Sequence, residues 1–362
     1  MDKLELLKPD GRRLYLYSTG SITSVVDIPI PHGLPKQPNP QLRFHPLRGE
    51  WVSYADYRQH RTFLPPKEFN PLGPTIDQHN PTELPPGDYE VAVFENSFPS
   101  LTMLSYDPPA TIVDTMPAKG VCEVVVFTQD PNTSLGALSL KRIDLILQVL
   151  SDRYQQLGSM PGIEYVMPFE NRGVEVGVTL HHPHCQIYAY PFVPPTPARE
   201  LQMQADCYEK NGYGLLEKLV KDEIEDARRI LYRGEFTTAF VPVCARYPYE
   251  VWIAPYTPLP CVANLNADQR LDFAKALKTV LLKYDGLWNR PFPYVMVFHQ
   301  APTANSYPQA HFHIEFYPAL RTREKLKYLA GTEVGAGMFT NDTYPEQTAA
   351  ELQAVKVNLD HI

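Results

Sequence analysis

Residues 179–190, TLHHPHCQIYAY, decide the reading of this chain. If they form a strand, residues two apart share a face, so His182, His184 and Gln186 point one way and Tyr188 continues the row. Two imidazoles and an amide on one face are costly to bury without partners. One histidine alone would be read as a satisfied core residue; three polar groups in register ask for a chemical reason. A neutral imidazole attacks phosphorus well and leaves the adduct well. One ring nitrogen must be free, and the other must carry a proton held by a backbone carbonyl. An imidazole of this row is the candidate nucleophile, and Gln186 is the amide that could donate to a non-bridging phosphoryl oxygen. Pro183 lacks an N–H, which predicts an edge strand or a local irregularity. Cys185 points to the opposite face, so this strand by itself makes a poor zinc site.

The pattern occurs twice. His182, His184, Gln186 and Tyr188 recur 129 residues later as His311, His313, Glu315 and Tyr317. YVMPFE at 165–170 matches YVMVFH at 294–299, and CEVVVF at 122–127 resembles YEVWIA at 249–254. Between them lie two helical patterns. One starts after Ser139 and sets Ile143, Ile146, Leu147 and Leu150 on one face. The other starts after Asn266 and aligns Leu271, Ala274, Leu277, Val280 and Leu281. This predicts a duplicated strand–helix–strand–strand unit, divided as 1–195 and 196–362. The second copy keeps the pattern and changes the chemical residues, so one half does chemistry and the other supports it. A third helix is expected over 199–232, with Leu215, Leu219, Ile224 and Ala227 as its buried stripe. The proline-rich stretches 60–87 and 191–197 are expected to be ordered or semi-ordered loops, not helices.

Bulk properties narrow the class. The 362 residues are 44% hydrophobic and 20% charged, with net charge -8, which speaks against a basic nucleic-acid surface. A few arginines can still neutralise a small phosphorylated substrate. No run is long and apolar enough for a membrane span, and MDKLELLKPDGRR has no apolar leader. Five scattered cysteines without a CxxC pair suit reduced thiols in a cytoplasmic protein.

The histidine segment is similar to the HPHxQ active-site signature of the galactose-1-phosphate uridylyltransferases, in the histidine-triad superfamily. Other stretches resemble the same family: RFHPLRGEWV at 43–52, ADYRQHRTF at 55–63, FENSFPSL at 94–101, FENRGVEVGVT at 169–179 and GTEVGAGMF at 331–339. The resemblance implies an α+β fold of duplicated histidine-triad-like units, a mostly antiparallel sheet forming a half-barrel with helices packed on it. It implies ping-pong exchange between UDP-glucose and galactose 1-phosphate through uridylyl-His184, with no organic cofactor. Asn171, Gly177 and Thr179 would line the phosphates. Phe94, Asn96 and Phe98 would hold the uridine. Arg58 and Arg61 would neutralise the hexose phosphate across a homodimer interface, and Lys327, Tyr328 and Glu333 would contact the sugar. Phe339 or a neighbour stands where relatives have a further sugar-contacting glutamine. An adenylyl transferase or phosphorylase acting on ADP-glucose would use the same His and Gln, and a non-catalytic nucleotide binder is the remaining alternative.

Two metal sites belong to the resemblance. The first uses a CxxC pair, a later histidine and the first histidine of HPH; here those positions are near Asn70 and Gly73, then Pro131, and only His182 remains. One ligand cannot hold a structural zinc. The second site implies Glu200 and His299, completed by His313 and Glu315 or, in the other alignment, His311 and His313. It would hold zinc or iron in a structural role; a metal-free polar cluster is the alternative.

Overall fold

The computed structural model describes residues 1–23, 28–34, 37–61, 65, 69–303 and 307–359. In chain order its strands are β1 (Asp2–Leu7), β2 (Arg13–Ser18), β3 (Gln41–His45), β4 (Glu50–Tyr54), β5 (Val91–Glu95), β6 (Thr115–Pro117), β7 (Val121–Val126), β8 (Tyr165–Arg172), β9 (His184–Tyr190), β10 (Ile230–Arg233), β11 (Thr237–Phe240), β12 (Val251–Pro255), β13 (Tyr294–His299) and β14 (His313–Pro318). The helices are α1 (Leu140–Gly158), α2 (Pro195–Asn211), α3 (Leu215–Asp226), α4 (Ala267–Leu287) and α5 (Pro345–Ala354).

Eleven strands form one sheet in the order β1-β2-β5-β7-β9-β8-β13-β14-β12-β11-β10. Its pairings are antiparallel, and β8 meets β13 at the middle with Asn171 opposite Val295 and Phe169 opposite Val297. Reading outward from that seam, β8, β9, β7 and β5 are mirrored by β13, β14, β12 and β11. The duplication therefore builds a single layer. The sheet does not close among the described residues, and β1 and β10 are its edges.

Alternation along the strands gives the layer two faces. Val125, Cys185, Ile187, Ala189, Ile253, Met296, Ile314 and Phe316 turn toward α1 and α4 and form the main core. Helices α1 and α4 start where a side chain satisfies free N–H groups. Ser139 accepts from Arg142 N at 3.2 Å, and Asn266 and Gln269 make a reciprocal capping box at 2.9 and 3.0 Å. Ile143, Ile146, Leu147 and Leu150 are all buried, each contributing about 1.5–3 kcal/mol. In α4, Leu271 departs from expectation: it is 40% exposed.

The expected helix 199–232 is two helices and a strand. Gly212, at φ 75°, takes the left-handed conformation that ends α2. Ala227 ends α3 at φ 60°, and Ile230 begins β10. The loop expected at 191–197 is helical from Pro195, because proline at the first helical position loses no hydrogen bond. The segment from Asn70 to Leu84 folds as a bonded flap: Glu83 N donates to Pro71 O at 3.0 Å and Thr75 N to Leu84 O at 2.8 Å. Its Leu72 and Leu84 pack with Phe94, Val124 and Val126 on the face opposite α1. The small sheet β4-β3-β6 covers Tyr188, Tyr190 and Phe192 on that same face. Between these two covers β9 presents His184 and Gln186.

Candidate active site

β9 is an interior strand, paired with β7 through Val126–His184 and Val124–Gln186 and with β8 through Phe169–Gln186. The edge position expected from Pro183 is not found. Pro183 sits one residue before the strand, where its missing N–H costs nothing, and its carbonyl still accepts from Phe127 N at 3.2 Å.

His184 is partly buried, and its Nδ1 lies 2.7 Å from the carbonyl of His182. A carbonyl only accepts, so Nδ1 carries the proton and Nε2 keeps its lone pair. No described residue hydrogen-bonds that Nε2. Burial lowers the pKa of the ring, with the neighbouring His182 adding to the effect, so the neutral ring persists below the ordinary histidine range. The Gln186 amide also has no partner among the described residues. His182 is buried, with Nε2 2.7 Å from the Thr128 carbonyl and Nδ1 2.6 Å from Asn70 Nδ2.

A cavity of about 390 Å³ opens against His184, Asn171, Gly173, His182 and Arg290. Its volume falls within the usual range for small-molecule sites. The loop after β8 forms one wall. Gly177 stands at φ 78° and closes a turn by donating to Val174 O at 3.0 Å. Thr179 lies partly exposed just beyond it. The C-terminal half clamps this loop: Arg172 makes a two-pronged pair with Asp285 of α4 at 2.8 and 3.0 Å, and Arg290 reaches Glu175 at 3.0 Å. Asp285 and Arg290 escaped the sequence reading, since their distance along the chain gives no local signal.

Other expected residues are placed differently. Phe94, expected at the uridine site, is 2% exposed inside the cluster under the flap. β5 alternation turns it there with Ala92. Asn96 uses its side-chain carbonyl to accept from Phe98 N at 2.8 Å, and it lines a separate cavity of about 600 Å³ walled by Tyr15, Glu123 and Arg153. Arg58 donates to the Phe98 carbonyl at 2.6 Å. Burial pushes the Tyr188 hydroxyl up, and Arg58 is close enough to counter it, so within one chain this arginine already reaches the β9 row. Arg61 donates to the Arg58 carbonyl at 3.1 Å and is exposed.

Lys327 and Glu333 pair at 3.2 Å within the tail. Glu333 also accepts from Ala330 N, the Thr332 hydroxyl and Thr340 N, contacts that with its own backbone N–H hold its carboxyl at about 2. Tyr328 is 73% exposed. Phe339 packs on Tyr247, and Tyr247 on Tyr317 of β14. β14 lies three strands from β9, roughly 14 Å at the usual strand spacing.

In the second half the backbone geometry of the first repeats. His311 Nε2 lies 2.8 Å from the Pro255 carbonyl, and His313 Nδ1 2.9 Å from the His311 carbonyl. Ligand atoms of Glu200, His299 and His313 fall within 4.8 Å of one another. Glu315 lies 3.3 Å from His313 Nε2 and 3.9 Å from His299 Nε2. Burial opposes charge on His299, but Glu315 and Glu200 outweigh it and raise its pKa. His311 stands outside this set, and burial lowers it to about 4.

A partly buried imidazole with one free nitrogen, beside an unengaged amide and a clamped glycine loop, defines a nucleotidyltransferase built on a duplicated unit. The chain belongs to the galactose-1-phosphate uridyl transferase family: the family's N-terminal domain matches residues 35–194 and its C-terminal domain residues 200–361. It is 37% identical over 326 residues to galactose-1-phosphate uridylyltransferase of Thermotoga maritima, covering 88% of this chain and 99% of that protein. The Haemophilus influenzae protein of the same name is 32% identical, with 88% and 95% covered. A solved uridylyltransferase structure superposes with a TM-score of 0.79 at 33% identity, over 87% of this chain and 98% of that one. The chain is a transferase of galactose metabolism. No described helix is long and apolar enough to cross a membrane.

Proposed function

We propose that the chain moves a uridylyl group between UDP-glucose and galactose 1-phosphate in two displacements at His184. The free Nε2 attacks the α-phosphorus of UDP-glucose. The bond to the bridging oxygen breaks, and its electron pair leaves with glucose 1-phosphate. The Nδ1–H bond to the His182 carbonyl stabilises the charge that the ring acquires. A phosphate oxygen of galactose 1-phosphate then attacks the same phosphorus, the N–P bond breaks, and Nε2 recovers its lone pair. Gln186 donates to a non-bridging oxygen in both steps. The observation that supports this reading above all is the division of labour on one ring, with Nδ1 held and Nε2 unpartnered against a cavity. The test is incubation with UDP-glucose labelled at the α-phosphorus. An acid-labile label on His184, chased by galactose 1-phosphate into UDP-galactose, is expected; binding without a trappable adduct would remove the covalent route.

The tail residues Lys327, Tyr328 and Glu333 follow β14, which lies three strands from the β9 that carries His184. We propose a cytoplasmic homodimer in which a second copy supplies them. The five cysteines are free, as a reducing compartment would leave them. A strictly monomeric species by sedimentation velocity during turnover would exclude this arrangement.

We further propose that Glu200, His299 and His313, with Glu315 as fourth ligand, hold one zinc or iron ion. Two imidazoles and carboxylates suit either metal, and a void of about 10 Å³ lies among the first three. The ion would tie α2 to β13 and β14 and take no part in the transfer. Chelation is expected to lower the melting temperature by several degrees while His184 still labels. Purified protein free of metal, with a melting temperature indifferent to added zinc or iron, would refute it.

A further inference from the structure

His182 is gripped at both ring nitrogens. Its Nε2 lies 2.7 Å from the Thr128 carbonyl, which only accepts, so Nε2 carries the proton and Nδ1 is bare. Nδ1 faces Asn70 Nδ2 at 2.6 Å. The orientation of that amide is settled, because its Oδ1 accepts from Leu72 N at 3.1 Å and its NH₂ must therefore face the ring. Asn70 is itself pinned by the flap, with Gly73 N donating to its carbonyl at 3.1 Å. A Cβ at Gly73 would come within 3.2 Å of Asn70 Nδ2, so the absence of a side chain there leaves the amide its place.

The chain of bonds runs from the Asn70 NH₂ to the His182 ring, and from the His182 carbonyl to Nδ1–H of His184. The second half provides an internal control. His311 holds the equivalent place, with its Nε2 on the Pro255 carbonyl, yet its buried Nδ1 has no partner among the described residues. Among those residues the donor to Nδ1 is found in the half that carries His184. The metal that the family resemblance implies at this place does not fit here: Gly73 and Pro131 offer no ligand atom on a side chain, which leaves His182 without the ligands a structural ion needs.

We propose that Asn70 is a positioning residue that replaces this metal: its amide locks His182 as the neutral Nε2–H tautomer, and the locked ring steadies the carbonyl that orients His184. This rests on His184 being the nucleophile. A ring free to flip or exchange tautomers would lose the Thr128 bond and let the residue 182 carbonyl drift, and attack at phosphorus tolerates little drift.

The test is Asn70→Leu, which keeps the side-chain size and removes the donor. Single-turnover formation of the labelled adduct from UDP-glucose is expected to slow by about 10- to 100-fold, the usual cost of losing a residue that orients a site group. KM should change little, and labelling should still reach completion. An unchanged rate would overturn the proposal. Nitrogen-15 NMR of histidine-labelled wild-type protein gives a second readout that does not depend on the variant folding. A bare Nδ1 and protonated Nε2 at His182 are expected, and the reverse tautomer would overturn the proposal. Adduct formation by His184→Gly would instead sink the nucleophile assignment, a separate failure.

Discussion

His184→Gly is expected to cut uridylyl transfer by about ten-thousand-fold or more, with the folded protein and UDP-glucose binding retained. The magnitude follows from the chemistry: Nε2 faces the cavity with no hydrogen-bond partner among the described residues, and removing the attacking atom of a covalent route leaves only binding and electrostatics to act on the substrate. The ring is partly buried and its one hydrogen bond among the described residues is to the His182 carbonyl, so its loss touches little of the core. Exchange of label between UDP-glucose and galactose 1-phosphate measures the effect, and a thermal melt checks the fold. A variant that retains more than about a hundredth of the wild-type rate would point to direct displacement by the sugar phosphate.

Gln186→Ala is expected to lower kcat by about 100- to 1,000-fold with little change in KM, the range seen when one donor to a developing oxyanion is removed. Gln186 shares the face of His184, and the two are held at a fixed spacing by the β7 and β8 ladders. Its amide is engaged by no described residue, so it is available when charge grows on the phosphoryl oxygen. Gln186→Glu should be worse than alanine, because a carboxylate cannot donate and repels that charge. Steady-state kinetics on both variants decide the matter; an equal rise in KM with kcat preserved would reassign Gln186 to ground-state binding.

The strand, its duplicate and the two capped helices were legible because their evidence is local. Alternation along 184–190, the 3.6-residue stripe after Ser139 and the side chains of Asn266 and Gln269 each depend on residues a few positions apart. The break at Gly212 was less visible, since glycine in a charged helical pattern is tolerated until the backbone adopts positive φ. The placement of Phe94 is a similar case. A segment resemblance names a residue without stating which face of β5 it occupies, and alternation turns this ring into the cluster with Leu14, Leu16 and Val124. Asn70 was noticed for lacking a metal ligand, and its positive role lay out of reach because the partner atoms, a ring nitrogen and the Leu72 N–H, meet only once the flap folds onto the sheet.

By itself the sequence determined the family and the fold class and singled out His184 and Gln186 as candidates, because those depend on side-chain type and short-range periodicity. Only the tertiary structure decided which nitrogen of His184 is free, that His313 and not His311 joins Glu200 and His299, and that α4 holds the loop after β8. Each of those depends on a backbone carbonyl or a charge brought close by strand pairing, and a carbonyl looks the same at every position in a sequence.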